Sequence, residues 1–98
     1  MTIVTQIKIA QGQEPAWDAA MRERIAAAKD QTGFVSVQLA IPADAPDERV
    51  VIGTWETRAD WEAWHENERF RSTRERMDLC EVERKGEWWH EVVLVEHR

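Results

Sequence analysis

The chain is predicted to fold as a small α+β domain, on three observations. Segments that alternate apolar and polar residues at the two-residue period of a strand are interleaved with segments whose apolar residues recur every three to four residues, as on a helix. Ninety-eight residues suit a single domain spanning 1–98. The composition, 43% hydrophobic and 33% charged with Gly 4 and Pro 3, is that of a globular chain and not of a disordered, collagen-like or low-complexity one.

Thr2–Ala10 alternates Ile3, Thr5, Ile7 and Ile9 with Val4, Gln6 and Lys8 and predicts the first strand. Gly12 breaks it, and Pro15 falls near the first turn of a helix, where its missing N–H does no harm. Trp17, Ala20, Met21, Ile25 and Ala28 then form an apolar stripe interrupted only by Arg24, whose long stem can snorkel. Gly33 marks the exit. Phe34–Ile41 is β-branched and aromatic, a second strand with Val35, Val37, Leu39 and Ile41 on one face. Pro42–Asp47 is a turn or short loop, and Val50–Trp55 a third strand paired with the second. Thr57 with Asp60 three residues on forms a variant capping box that opens a helix bearing Trp61, Trp64 and His65. Asn67 caps its continuation through Phe70, Thr73, Met77 and Leu79. Polar Glu81–Glu87 reads as a connection with a turn at Gly86, and Trp88–His97 as the fourth strand, with Trp88 and Trp89 on opposite faces.

The order β-α-β-β-α-β is the ferredoxin-like arrangement, an antiparallel four-stranded sheet with both helices on one face. Apolar residues on both faces of the later strands leave the second face in need of a cover, which predicts a homodimer with sheet packed on sheet. A net charge of −6 from 13 Lys+Arg and 19 Asp+Glu repels phosphate backbones and anionic lipid, so neither nucleic acid nor membrane is an expected partner. The arginines Arg69, Arg71, Arg74 and Arg76 are interleaved with Glu66, Glu68 and Glu75, the pattern of a solvated helix face. A lone Cys80 makes no intramolecular disulfide, and no apolar run approaches the ~20 residues of a membrane span, so a soluble cytoplasmic protein is expected. His90 and His97, seven apart, fall on opposite strand faces and predict no metal site.

Six Trp and two Phe without a single Tyr is unusual for this length. Trp61, Trp64 and His65, at i, i+3 and i+4, project from one helix face as a flat apolar wall suited to a planar aromatic ligand, with Trp61 as core and Trp64 lining the pocket.

The stretch VVIGTWETRADWEAWHENERFRSTRERM, Val50 to Met77, resembles the antibiotic biosynthesis monooxygenase domain of the dimeric α+β barrel superfamily. The likeness lies in a strand ending in an aromatic and a charged residue, a capped helix, and a Trp followed six residues later by Phe. It implies a homodimeric, cofactor-independent monooxygenase that oxidises a planar aromatic or polyketide-like substrate with O2, without metal or flavin. Such oxygenases carry, around a helical Trp, an Asn four residues before, a Tyr six after and an Arg about twenty after. Set on Trp64, these positions are Asp60, Phe70 and Arg84, so the Trp and Arg are kept and the amide and phenol are not. In the haem-degrading branch the Asn, Trp and iron-ligating His correspond to Thr5, Trp64 and Arg74, and an arginine, always protonated, does not ligate iron. Haem degradation is the weaker expectation. Cofactor-free oxygenation calls for a cation, Arg74 or Arg84, and a base, His65 or Asp60. The catalytic candidates are thus Trp64, Arg84, Asp60 and His65, with Trp61, Phe70, Arg74 and Thr5 around the substrate. The alternative is a non-catalytic homodimer of the same fold that binds a small ligand.

Overall fold

The computed structural model describes residues 1–98. Its elements are β1 (Thr2–Ile9), α1 (Glu14–Ala28), β2 (Phe34–Ala40), β3 (Glu48–Trp55), α2 (Arg58–His65), α3 (Glu68–Asp78) and β4 (Glu81–His90). The four strands form one sheet in the order β2-β3-β1-β4, every neighbouring pair antiparallel, which is the ferredoxin-like topology. No helix is long and apolar enough to cross a membrane.

Register sorts the side chains. Ile3 faces Gly53 and Trp89, Thr5 faces Val51 and Glu87, and Ile7 faces Arg49 and Arg84 across the ladders, so these residues share the helix-covered face. Val4, Gln6 and Lys8 alternate to the other side with Val50, Ile52 and Trp88. Beneath the helices the core divides in two. Ile7, Ile9, Trp17, Ala20, Met21, Met77 and Cys80 pack together at one end, and Ala27, Ala28, Trp55, Trp64 and Phe70 at the other. Between them lies the candidate site.

A polar tie holds α1 to the sheet. Arg49, buried on β3, clamps Asp18 of α1 in a two-pronged pair, Nε to Oδ1 at 2.9 Å and Nη2 to Oδ2 at 3.1 Å. Gly33 precedes β2 at φ +83, a conformation open to glycine, and a methyl group there would overlap the Asp60 carboxylate.

Several sequence expectations are corrected. The second helix is two: α2 ends with its cap at Glu66, and Asn67 starts α3 by accepting from the Arg69 backbone N–H at 2.8 Å. In β2 the register slips between Phe34 and Ser36, so Phe34 takes the inward place next to Val37 and Leu39, while Val35 and Ile41 are exposed. The largest difference is β4, which occupies Glu81–His90 and not Trp88–His97. β1 dictates this, because its eight residues are paired from Ile9 opposite Glu81 to Thr2 opposite His90, and no partner remains beyond. Gly86 consequently lies inside the strand with the Trp88 indole folded over it, and residues 91–98 have no regular structure, with Val93 and Leu94 exposed.

Candidate functional site

A cavity of about 320 Å³ opens between the helices and the sheet, within the range that holds a small organic ligand. Fourteen of its 21 lining residues are hydrophobic. Of the residues singled out in the sequence, Thr5, Trp61, Trp64, His65, Phe70, Arg74 and Arg84 all line it. Asp60 does not. It accepts from the Thr57 hydroxyl at 2.8 Å while its own backbone N–H donates to that hydroxyl at 3.1 Å, so its carboxylate is held in the capping box at the start of α2. Helix capping accounts for the residue's position.

The aromatic wall is continuous. Trp89 meets Trp61 edge to face at 4.8 Å, Trp61 overlies His65 at 3.7 Å, His65 overlies Phe70 at 4.0 Å, and Phe70 meets Trp64 edge to face at 5.6 Å. The i, i+4 step from Trp61 to His65 on α2 stacks that pair, and the break at Glu66–Asn67 turns the chain so that Phe70 on α3 meets the same wall. Both tryptophans line the cavity, but Trp64 is the deeper, buried within the Ala27, Ala28, Trp55 and Phe70 cluster, whereas Trp61 is half-buried against that cluster.

His65 is locked by its own helix. Its Nδ1 lies 2.8 Å from the Trp61 carbonyl oxygen, which can only accept, so Nδ1 carries the proton and Nε2 is bare in the neutral ring. Burial pushes the imidazolium pKa down to about 4, opposed by the Trp61 carbonyl and reinforced by the positive charges of Arg74, Arg24 and Arg84. A ring held neutral at pH 7 is a hydrogen-bond acceptor and a weak general base.

Three guanidinium groups reach the cavity. Arg74 pairs with Asp78 one turn along α3 at 3.9 Å and sits 5.7 Å from the Phe70 ring centre. Arg84 pairs with Glu81 at 3.2 Å, and Glu81 in turn accepts from Trp17 Nε1 at 3.1 Å. Arg24 stands 4.1 Å over the Phe70 ring and donates from Nε to Thr73 Oγ1 at 2.9 Å. The sequence reading missed Arg24, taking it for a snorkelling interruption of the α1 stripe. The available signal was its place at i+7 from Trp17, in line with residues that all turn inward. It also missed Glu87, which lines the cavity opposite Thr5.

A β-bulge composes the β4 side of the site. Arg84 and Glu87 are three apart and would point to opposite faces of a regular strand. The register slips there, Gln6 facing Gly86 while Ile7 faces Arg84, which leaves Lys85 unpaired and returns both Arg84 and Glu87 to the cavity face.

Residues 1–76 match the sequence profile of the antibiotic biosynthesis monooxygenase family. No curated protein sequence matches the chain. Among solved structures the fold is similar to SnoaB, a cofactor-independent oxygenase from Streptomyces nogalater, with TM-score 0.81 and 19% identity over 97% of this chain and 96% of that one. It is also similar to Rv0793 from Mycobacterium tuberculosis, with TM-score 0.86 and 12% identity over 97% of each chain. PA3566 from Pseudomonas aeruginosa aligns with TM-score 0.79 and 17% identity over 93% of each.

Proposed function

The chain belongs to the antibiotic biosynthesis monooxygenase family, and from that premise we propose that it oxidises a planar aromatic or polyketide-like substrate with O2 in the cavity beside Trp64, without a cofactor. The observation that carries this reading is the cavity itself, an aromatic wall of Trp61, Trp64, His65 and Phe70 facing Arg74 and Arg84. A flat ring system lies against the wall, and the guanidinium groups favour its ionised, electron-rich phenolate or enolate form. That anion passes electrons to O2 against the apolar wall. For an anthrone the balance is one substrate and one O2 giving one quinone and one water, the ring methylene being oxidised to a carbonyl. His65, neutral and bare at Nε2, accepts a hydrogen bond from a substrate hydroxyl, and Thr5 offers a second polar contact from the sheet.

The active form is a homodimer joined through the outer sheet face. Val4, Val50, Ile52 and Trp88 lie on that face, an apolar surface a second copy would cover. A monomer mass by light scattering at micromolar concentration refutes this part.

Oxygen uptake by the metal-free protein with anthrones, naphthols and quinols, run beside Trp64→Phe, tests the chemistry. Uptake with quinone formation that weakens in the variant is the expected result. Uptake unaffected by the variant, or none with any of these compounds, counts against it. The second reading, a non-catalytic binding protein, is favoured by one observation: Phe70 brings a ring and no phenol to the wall. On that reading the same compounds bind and no oxygen is consumed.

A further inference from the structure

Of the ten arginines, six have a carboxylate within 4.0 Å: Arg49, Arg58, Arg71, Arg74, Arg76 and Arg84. Arg22, Arg69 and Arg98 lie exposed in water. Arg24 alone is half-buried with no carboxylate within 4.0 Å, Glu81 and Asp78 acting on it only from farther away. Its Nε is taken by Thr73, its face rests on Phe70, and its terminal amino groups make no bond within the chain, although the cavity they border is accessible. An unpaired charge withdrawn from water is costly and is kept where something else supplies the partner.

The surrounding charges sharpen the point. In a protein of net charge −6, three arginines border this cavity against one carboxylate, Glu87. The partners of Arg74 and Arg84, Asp78 and Glu81, are not among the lining residues. Burial and then Arg74 and Arg84 hold the Arg24 guanidinium pKa down at about 10, against the weaker opposing pull of Glu81 and Asp78, so its positive charge is only partly offset.

We propose that Arg24 anchors a fixed negative charge on the substrate, so that the cavity takes a planar aromatic carboxylate, with the carboxylate at the Arg24–Phe70 end and the ring along the Trp61–His65 wall. The planar fork of a guanidinium suits the two oxygens of a carboxylate, and its free terminal nitrogens are the ones placed to use it. This rests on the aromatic-cavity reading and adds to it the class of substrate and a residue that selects it.

Calorimetric titration with 2-naphthoate and its neutral counterpart 2-naphthamide at pH 7 tests the proposal. The carboxylate is expected to bind at least about tenfold more tightly than the amide. In Arg24→Gln that preference shrinks to within about threefold, while Arg22→Gln, an exposed neighbour on the same helix, retains it. Arg24→Met, which keeps an apolar stem over Phe70, serves as a second variant, and the wild-type ratio needs no variant. Equal affinity for the two compounds overturns the proposal, as does a preference that both Arg24 variants leave intact. Tight binding of the amide without preference would refute the anchor and spare the aromatic cavity, whereas failure of both compounds to bind would refute the two together.

Discussion

Replacing His65 by glutamine should flatten the acid limb of the stability curve. In the folded protein the imidazolium pKa is pushed from 6.5 to about 4, first by burial and then by Arg74, Arg24 and Arg84, with the Trp61 carbonyl acting the other way. Above about pH 6.5 the ring is neutral folded or unfolded and contributes no pH dependence. As pH falls from there toward 4, the unfolded chain takes up a proton that the folded chain refuses, so stability is lost with falling pH and regained with rising pH through that window. A fully dry site would make the loss about 3 kcal/mol below pH 4, at 1.36 kcal/mol for each tenfold change. His65 borders an accessible cavity and is half-buried, so solvent screening reduces this to about 1–2 kcal/mol, and to about 1 kcal/mol at pH 5. Glutamine keeps an amide N–H for the Trp61 carbonyl and does not titrate. Urea unfolding of both proteins at a fixed protein concentration, in steps from pH 7.5 to 4.5, measures the difference. From its value at pH 7.5, wild type should lose more stability than His65→Gln by the stated amount as pH drops. The carboxylates, common to both, cancel in the comparison. Parallel curves, or a wild type that gains on the variant in acid, would refute the claim that the ring is held neutral.

Two further substitutions test the framework of the site. Trp64→Ala empties the buried place among Ala27, Ala28, Trp55 and Phe70 and should cost about 3–5 kcal/mol in urea unfolding, a loss under 1 kcal/mol refuting its core role. Gly33→Ala forces a side chain into positive φ and against the Asp60 carboxylate, so it should lower stability by about 2 kcal/mol, read as a drop in Tm, with an unchanged Tm as the contrary result.

The legible parts of the sequence were those where one physical signal acted alone. β1, α1 and β3 each bury a single face, so their apolar periods announce them, and the capping pairs at Thr57 and Asn67 mark true helix starts. β4 was misplaced because it is an edge strand whose pairing is set by the length of β1, while its most apolar residues lie past the last available partner. Charged residues such as Glu83 and Lys85 suit an open edge, and they hid the strand from a search for alternation. The same bulge that defeats the two-residue period brings Arg84 and Glu87 to one face, so no spacing rule could have joined them. Arg24 lay in plain view in the apolar stripe. Its meaning depends on where acids are missing in three dimensions, which a sequence does not display.

On the proposed reading, the departures from the resembled pattern at Asp60 and Phe70 leave proton handling without an amide and a phenol, and the neutral His65 is too weak a base to replace them. A substrate proton can also be released without a strong base, when the site stabilises the anion that remains. On the proposed reading three guanidinium groups around an apolar wall do that, since each lowers the pKa of a bound phenol or enol through its positive charge. If Arg24 is occupied by a carboxylate, one of the three charges is neutralised, and Arg74 and Arg84 remain to favour ionisation at the ring. The division assigns recognition to Arg24 over Phe70 and activation to Arg74 on α3 and Arg84 at the β4 bulge. It follows that Arg84→Gln should raise the pH at which oxygen uptake reaches half its maximum, while Arg24→Gln should chiefly raise KM, because it leaves the substrate carboxylate without its partner.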